Sequence, residues 1–314
     1  MTEPRDFALY GLRVRSDLDL RGWPTAQGTA PPDLIIRLEP VSAPEVEGGP
    51  YSGRTVVEDG ELKVVVRGVA RYGARGGTLI RVDPEPGARP EDVQLYLTGS
   101  LMGTIVHQRG ALPLHACAVA FSGRAAAFAG PSGVGKSTLL AALVAKGGAF
   151  VTDDIAVVAP LGGGRVGVWP GAQRAKLDPV SLAALGRTRV GLEPAGGPQG
   201  KFHLPVAGGE SARHPVPLDR VYLLRNGEGP PKIEPLAGLE AVTALLEEIY
   251  VLGCATALGL AAQCFRLAAT TAAAVQVRRL LRPRGMDRLE DTLRLVLADL
   301  SAAAAERESM RRAG

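Results

Sequence analysis

The chain has 314 residues, of which 46% are hydrophobic, and a formal net charge of +4. It is long enough for two domains or one large domain, with ample apolar sequence for a core. The mildly basic balance permits an acidic partner, but no block of Lys and Arg interleaved with aromatic residues argues for nucleic acid.

Three features predict a soluble, cytoplasmic protein. The N-terminus has no apolar signal segment. The uncharged stretch 250–265 is short of a membrane span and predicts a buried helix. Cys117, Cys254 and Cys264 lie in apolar surroundings without metal-ligand spacing, which indicates buried thiols in a reducing compartment. We therefore expect no membrane partner and no nucleic-acid partner.

Residues 1–90 are predicted to form a β-rich N-terminal accessory domain. Strand-like runs cover 7–14, 34–38, 62–66 and 78–82, and residues 58–61 have the composition of a hairpin turn. No catalytic pattern occurs here. A small sheet packed on the core is the main interpretation, and a peptide-docking role is the alternative.

Residues 90–109 form the first predicted helix, which starts at a proline and ends before Gly110. Leu97, Leu101 and Ile105 recur every four residues, so they predict one buried face. A strand over 112–120 is expected to follow.

A phosphate-binding loop follows the apolar, strand-length run 124–129. The motif G-x-x-x-x-G-K-[ST] is matched by Gly130, Pro131, Ser132, Gly133, Val134, Gly135, Lys136, Ser137 and Thr138. Its glycines let the backbone wrap closely around a phosphate, and the helix predicted over 137–146 presents its positive end to the anion. Lys136 is expected to reach the outer phosphates of ATP, and the Ser137 hydroxyl to bind Mg²⁺. The alternative is a glycine-rich turn that binds nothing.

The next apolar strand ends in Asp153 and Asp154. One carboxylate of such a pair can hold Mg²⁺ and the other can accept a hydroxyl proton. Adjacent strand residues point to opposite faces, so both can serve one site only if the strand ends there. A solvated acidic turn is the alternative.

Together these motifs resemble the catalytic domain of HPr kinase/phosphorylase. The residues that carry the resemblance are Leu114-His115-Ala116, Ser122-Gly123-Arg124, the loop 130–138 and Val151-Thr152-Asp153-Asp154. The match is closer to the stand-alone HPr-kinase-like proteins, some of which accompany lasso-peptide gene clusters. It is strongest over 110–160. It implies an α/β fold with a P-loop kinase domain of this type over 91–314, after the accessory domain 1–90.

The resemblance also implies roles for individual residues. Asp153 corresponds to the family's general base, Asp154 to its metal-side carboxylate, and His115 to a histidine near the transferred phosphate. Read alone, His115 in an apolar strand is more typical of a core histidine. The family's Glu-x-x-Gly-x-Gly signature has no glutamate at its aligned place within 168–173, which argues against phosphorylase activity and a second metal.

Several cations follow in segments predicted to be loops: Arg174, Lys176, Lys201 and His203. Any of them could reach the triphosphate, although solvated loop positions are the simpler interpretation. The arginines of 278–284 are predicted to lie on a solvated edge, and contact with an acidic peptide is the alternative. Further core elements are expected at 219–224 and 275–281 (strands) and at 237–252, 255–274 and 286–300 (helices).

The predicted function is an ATP- and Mg²⁺-dependent kinase that phosphorylates a serine or threonine hydroxyl of a peptide or small protein, such as a ribosomally made precursor peptide. Two alternatives stay open: a kinase acting on a small-molecule hydroxyl, and a nucleotide-binding scaffold with little turnover. The resemblance further suggests a homo-oligomer.

Overall fold

The computed structural model describes residues 3–206, 214–283, 285 and 288–313, without the side chains of 306–313. It is a mixed α/β structure. The strands are β1 (Arg5–Leu9), β2 (Leu12–Ser16), β3 (Leu34–Leu38), β4 (Gly53–Glu58), β5 (Glu61–Val66), β6 (Ala70–Arg75), β7 (Leu79–Pro84), β8 (Leu112–Leu114), β9 (Ala116–Phe121), β10 (Arg124–Ala129), β11 (Ala149–Thr152), β12 (Ala156–Gly162), β13 (Arg165–Trp169), β14 (Arg174–Leu177), β15 (Glu193–Pro194), β16 (Phe202–Pro205), β17 (Val216–Asn226), β18 (Lys232–Leu236) and β19 (Gln276–Arg282).

The helices are α1 (Pro90–Tyr96), a π-helical segment (Leu97–Leu101), α2 (Met102–Gln108), α3 (Lys136–Ala145), α4 (Pro179–Ala184), α5 (Gly238–Glu247), α6 (Leu252–Ala257), α7 (Ala261–Ala274) and α8 (Leu289–Ala313).

The N-terminal strands form one sheet in the order β1-β2-β3-β7-β6-β5-β4. The predicted hairpin turn is confirmed, since Glu58 pairs with Glu61. The predicted single strand over 7–14 is wrong, because the chain reverses at Tyr10 and Gly11, both with positive φ, and Leu9 pairs with Leu12.

The predicted helix 90–109 is confirmed as a run from α1 through the π-helical segment to α2. Leu97, Leu101 and Ile105 are fully buried. They belong to the same core as the N-terminal sheet. The division of the chain at residue 90 stays a prediction, and this helix packs against the N-terminal strands.

A larger sheet carries the phosphate-loop strand. Within it β10 lies between β9, which is antiparallel to it, and β17, which is parallel, and β17 also pairs in parallel with β19. One face packs against a core that includes α5 and α7, and the other packs against α3 and α8. Covering on both faces explains the near-continuous apolar runs of these strands.

A small third sheet has the order β14-β16-β15. The prediction that Arg174, Lys176 and His203 lie in loops is wrong: Lys176 pairs with His203, and Arg174 with Pro205. Such pairing between distant segments is a tertiary effect that local composition does not reveal.

The predicted buried helix over 250–265 is wrong, because this stretch forms α6 and the start of α7 and only Cys254, Ala255 and Cys264 within it are buried. No described helix is both long and apolar enough to cross a membrane. The three cysteines are buried thiols. The helix predicted over 286–300 corresponds to α8, which begins at Leu289. Met286 of that prediction, and Arg284 of the predicted arginine cluster, lie outside the described residues.

Candidate functional site

The phosphate-loop motif lies between the end of β10 and the first turn of α3. Gly130 has φ 151° and Gly135 has φ 93°, conformations that favour glycine. A Cβ atom on Gly130 would lie 2.8 Å from the carbonyl oxygen of Leu224, so the loop also needs glycine there for space. The backbone therefore has the strand–loop–helix form that the motif predicted.

Lys136 folds back into the loop that precedes it. Its Nζ donates to the carbonyl oxygens of Gly130, at 2.6 Å, and Pro131, at 3.1 Å. The residue is only 7% exposed, and burial lowers the pKa of its ammonium group. The charge is thus held at the loop backbone, where a phosphate-binding lysine acts.

The Ser137 hydroxyl donates to Oδ1 of Asp153 over 2.8 Å. The other carboxylate oxygen of Asp153 accepts the backbone N–H of Lys176 at 2.7 Å. Burial, followed by the charge of Asp154, raises the pKa of Asp153, and these two hydrogen bonds oppose the rise. Asp153 is therefore fixed against the phosphate loop on one side and β14 on the other.

Asp154 has a different environment. It has φ 73°, which is uncommon for a residue other than glycine, and β11 ends two residues before it. The end of the strand removes the alternation that would send the two carboxylates to opposite faces. Lys176 Nζ lies 2.7 Å from Oδ2 of Asp154. Burial is the largest single effect and opposes ionisation. The charge and the hydrogen bond of Lys176, with smaller contributions from His115 and Lys201, together outweigh it and lower the pKa of Asp154 to about 2.

His115 lies at the break between β8 and β9, which the sequence predicted as one strand. Its Nε2 is 3.9 Å from Oδ1 of Asp154, and its ring meets that of Tyr250 edge-on at 5.6 Å between centroids. Burial, followed by the charge of Lys136, lowers the pKa of His115 to about 4. The imidazole is therefore neutral at physiological pH, and the structure places it beside the second aspartate.

Arg282 is a site residue that sequence reasoning missed. The predicted solvated edge is wrong here, because Arg282 is 6% exposed and its Nη2 donates to the carbonyl of Val134 at 2.9 Å. A Cβ atom on Gly135 would collide with the same guanidinium. The only local signal was its place directly after the strand predicted over 275–281.

A cavity of about 610 Å³ opens in front of these groups. Its wall includes the loop, His115, Asp154, Lys176, Lys201 and Arg282, together with parts of α1 and α4. Its volume lies within the usual range for small-molecule sites. Of the four predicted cations, Lys176 and Lys201 border this cavity, whereas Arg174 and His203 line neighbouring cavities.

The long helix after residue 90 also borders the cavity. Leu95, Tyr96 and Ser100 of the long helix line it. The N–H of Gly197 donates to Oδ1 of Asp92 at 2.7 Å, which ties the loop around residue 197 to α1. The shape of the site therefore depends on α1 and on the loop around residue 197, in addition to the phosphate loop and the acidic pair.

Within the described part of the chain, no group of three or more His, Cys, Asp or Glu side chains could hold a metal ion. Mg²⁺ is commonly bound by one or two carboxylates together with phosphate oxygens, so a protein-only cage is not required. Ser137 and Asp153 provide a hydroxyl and a carboxylate in direct contact. These donors fit a magnesium ion that is bound together with a nucleotide.

No protein-family model matches the sequence, and no curated protein sequence matches it. Among solved structures, the HPr(Ser) kinase/phosphatase from Coxiella burnetii is similar to this chain with a TM-score of 0.31 and 13% sequence identity. The matched region covers 63% of this chain and 96% of that one. The structural similarity is distant, and it identifies neither an activity nor a substrate for this chain.

Proposed function

We propose that this protein is a kinase that transfers the γ-phosphate of ATP to a hydroxyl group, with Mg²⁺ as cofactor. The observation that carries the proposal is the 2.8 Å hydrogen bond between Ser137 Oγ and Asp153 Oδ1. It brings the hydroxyl of a phosphate loop together with a strand-end carboxylate, the pair that holds Mg²⁺ in phosphate-loop enzymes.

The loop supplies the nucleotide-binding part. Its N–H groups and the first turn of α3 form an anion-binding end, and Lys136 adds a positive charge held at the loop. Ser137 and Asp153 would hold Mg²⁺, which neutralises charge on the outer phosphates when it is bound. Arg282 stabilises the loop by donating a hydrogen bond to the carbonyl oxygen of Val134.

Asp154 is the proton acceptor in this proposal. The acceptor's hydroxyl oxygen forms a bond to the γ-phosphorus, its proton passes to Asp154, and the bond from the γ-phosphorus to the bridging oxygen breaks, so that ADP leaves with the electron pair. Two facts favour Asp154 over Asp153: it lines the 610 Å³ cavity, and both carboxylate oxygens of Asp153 already accept hydrogen bonds. This exchanges the roles that the resemblance implied, and both assignments stay predictions.

The proposed acceptor is a serine or threonine of a peptide or small protein, such as a ribosomally made precursor peptide. This choice rests on the resemblance stated from the sequence motifs. A small-molecule hydroxyl acceptor and a nucleotide-binding scaffold are the alternatives. Cytoplasmic location and self-association belong to the same proposal.

The deciding experiment measures transfer of labelled phosphate from ATP to a library of serine- and threonine-containing peptides and to a panel of small hydroxyl compounds. Wild type is compared with Lys136→Met, which keeps the side-chain length and removes the charge. Label on a peptide hydroxyl that disappears in the variant supports the peptide kinase. Label confined to small compounds supports the second alternative, and ATP binding without any transfer leaves the scaffold.

A further inference from the structure

A second cavity, of about 380 Å³, lies between the N-terminal part of the chain, α1 and the small third sheet. Much of its lining is apolar, including Leu18, Leu20, Val93, Leu97 and Pro194. The third sheet contributes Arg174, Lys176 and His203. A mainly apolar cavity with a few grouped polar side chains is the usual form of a small-molecule site.

The carboxylates that line this cavity already have cations of their own. The pairs are Asp19 with Arg5 at 3.0 Å, Glu193 with Arg21 at 3.1 Å, and Glu91 with Arg89 at 3.7 Å. These pairs neutralise the acidic groups of the lining, so the charge that is left over is positive.

That charge is on Arg174. Its guanidinium makes no hydrogen bond or ion pair with any residue that the structure describes. Glu193, followed by Tyr10, acts on it electrostatically at longer range. The side chain is half-buried, with its Cδ 2.6 Å from where a Cβ atom on Gly22 would lie. Burial lowers the pKa of Arg174 to about 10, so it stays charged at neutral pH. A partly buried cation without a close anion is costly, and an anionic ligand would offset that cost.

His203 adds a second unsatisfied group. Its Nδ1 is buried and has no hydrogen-bond partner among the described residues. Burial, followed by the charge of Arg174, lowers the pKa of His203 to about 3, so the ring is neutral. Buried polar atoms are normally paired, and an unpaired one beside a cavity is explained by a ligand or an ordered water.

We propose that this cavity binds a small amphipathic acid, a carboxylate or phosphate monoester on an apolar body. The acid group accepts hydrogen bonds from the Arg174 guanidinium and from the N–H of the neutral His203 ring, and the apolar body packs against Leu20 and Leu97. Lys176 lines this cavity and the 610 Å³ cavity, and its ammonium contacts Asp154. An occupant would therefore lie one side chain away from the proposed phosphotransfer site, although its binding requires no ATP.

The test is calorimetric titration of wild-type protein with octanoate, octyl phosphate and octanol, without nucleotide. We expect one or both acids to bind and octanol to bind more weakly. The acid that binds more tightly shows whether the cavity prefers a carboxylate or a phosphate monoester. Losing a charge-assisted hydrogen bond costs roughly 1.5–3 kcal/mol, so Arg174→Gln is expected to weaken acid binding by about 10- to 150-fold. Arg75→Gln removes an exposed arginine that does not line this cavity, and it is expected to change the affinity less than about threefold.

Three results would overturn the proposal: no binding of either acid, equal binding of octanol, or unchanged acid binding by correctly folded Arg174→Gln protein. Folding is checked by circular dichroism. If Arg174→Gln does not fold, His203→Phe decides, because it keeps a ring and removes the N–H. Weaker acid binding is expected, and unchanged binding counts against the site.

Discussion

The hydroxyl of Ser137, in the first turn of α3, lies 2.8 Å from Oδ1 of Asp153, just beyond the end of β11. The rest of α3 and strand β11 lie between the two residues in sequence. Strand β11 brings the chain back to the start of α3, where the two side chains meet. This contact makes the phosphate loop and the acidic pair one site. The two adjacent aspartates therefore have different surroundings: Asp153 contacts Ser137, and Asp154 contacts Lys176.

Asp153→Asn and Asp154→Asn are expected to have different kinetic effects. Asn at 153 weakens the metal side, so the Mg²⁺ dependence of ATP binding should become shallower and the Kd for Mg-ATP should rise. Asn at 154 removes the proposed proton acceptor, so kcat should fall by roughly 10²- to 10⁴-fold with little change in the Kd for Mg-ATP. Calorimetric Kd values with and without Mg²⁺, and single-turnover rates, separate the two effects.

The opposite pattern would return the base role to Asp153. In that case Asp153→Asn would abolish transfer while binding Mg-ATP normally, and Asp154→Asn would lose the metal dependence. Asp178→Asn, which alters the N-terminal cap of α4, provides a control for a carboxylate-to-amide change near the same cavity.

Arg282→Gln should destabilise the phosphate loop. The change leaves the buried carbonyl of Val134 without its 2.9 Å donor, which costs about 1–3 kcal/mol of unfolding free energy. Arg279→Gln on the same strand loses only exposed ion pairs to Glu234 and Glu240, and should cost less than about 1 kcal/mol. Urea denaturation measures both, and equal costs would contradict a bracing role. We also expect weaker ATP binding for Arg282→Gln alone.

Lys176→Met should change the acid stability of the protein. The folded-state pKa of Asp154 is lowered from 3.8 to about 2. A lowered carboxyl pKa stabilises the fold above pH 3.8, and this contribution is lost as the pH falls toward 2. The difference in thermal midpoint between wild type and Lys176→Met should therefore be largest near pH 6 and shrink by pH 2.

Lys201→Met is the matched control for that experiment, because it removes the same charge from the same cavity without breaking a direct contact with Asp154. Its thermal midpoint should differ less from that of wild type. A Lys176→Met difference that is independent of pH would mean that the loss comes from packing instead of the ion pair.

His115 should titrate far below an ordinary histidine. Its pKa is lowered to about 4 by burial and then by the charge of Lys136. In NMR spectra of ring-labelled protein, the His115 signal, assigned by its absence in His115→Gln, should keep its neutral chemical shift from pH 7.5 to 5.5. A midpoint at or above pH 6 would show that His115 is solvated or paired as a cation.

The part of the site that the sequence predicted is local. The phosphate loop, its flanking strand and helix, and the end of the strand before Asp153 depend on residues within about 30 positions, where glycine conformation and apolar periodicity are sufficient. The buried face of the helix over 90–108 was predictable for the same reason. The roles of Asp153 and Asp154 were not, because they depend on which carboxylate meets Ser137.

The sequence by itself determined a phosphate-loop motif, an acidic pair and most of the apolar strands and helices around them, since each is specified by neighbouring residues. Only the tertiary structure decided that Lys176 pairs with Asp154, that Arg282 is buried beneath the loop, and that Arg174 and His203 line a separate cavity. Lys176, Arg282, Arg174 and His203 are basic residues in local sequence that carries no motif. Their partners lie far along the chain, and strand pairing between distant segments is fixed by packing of the whole molecule.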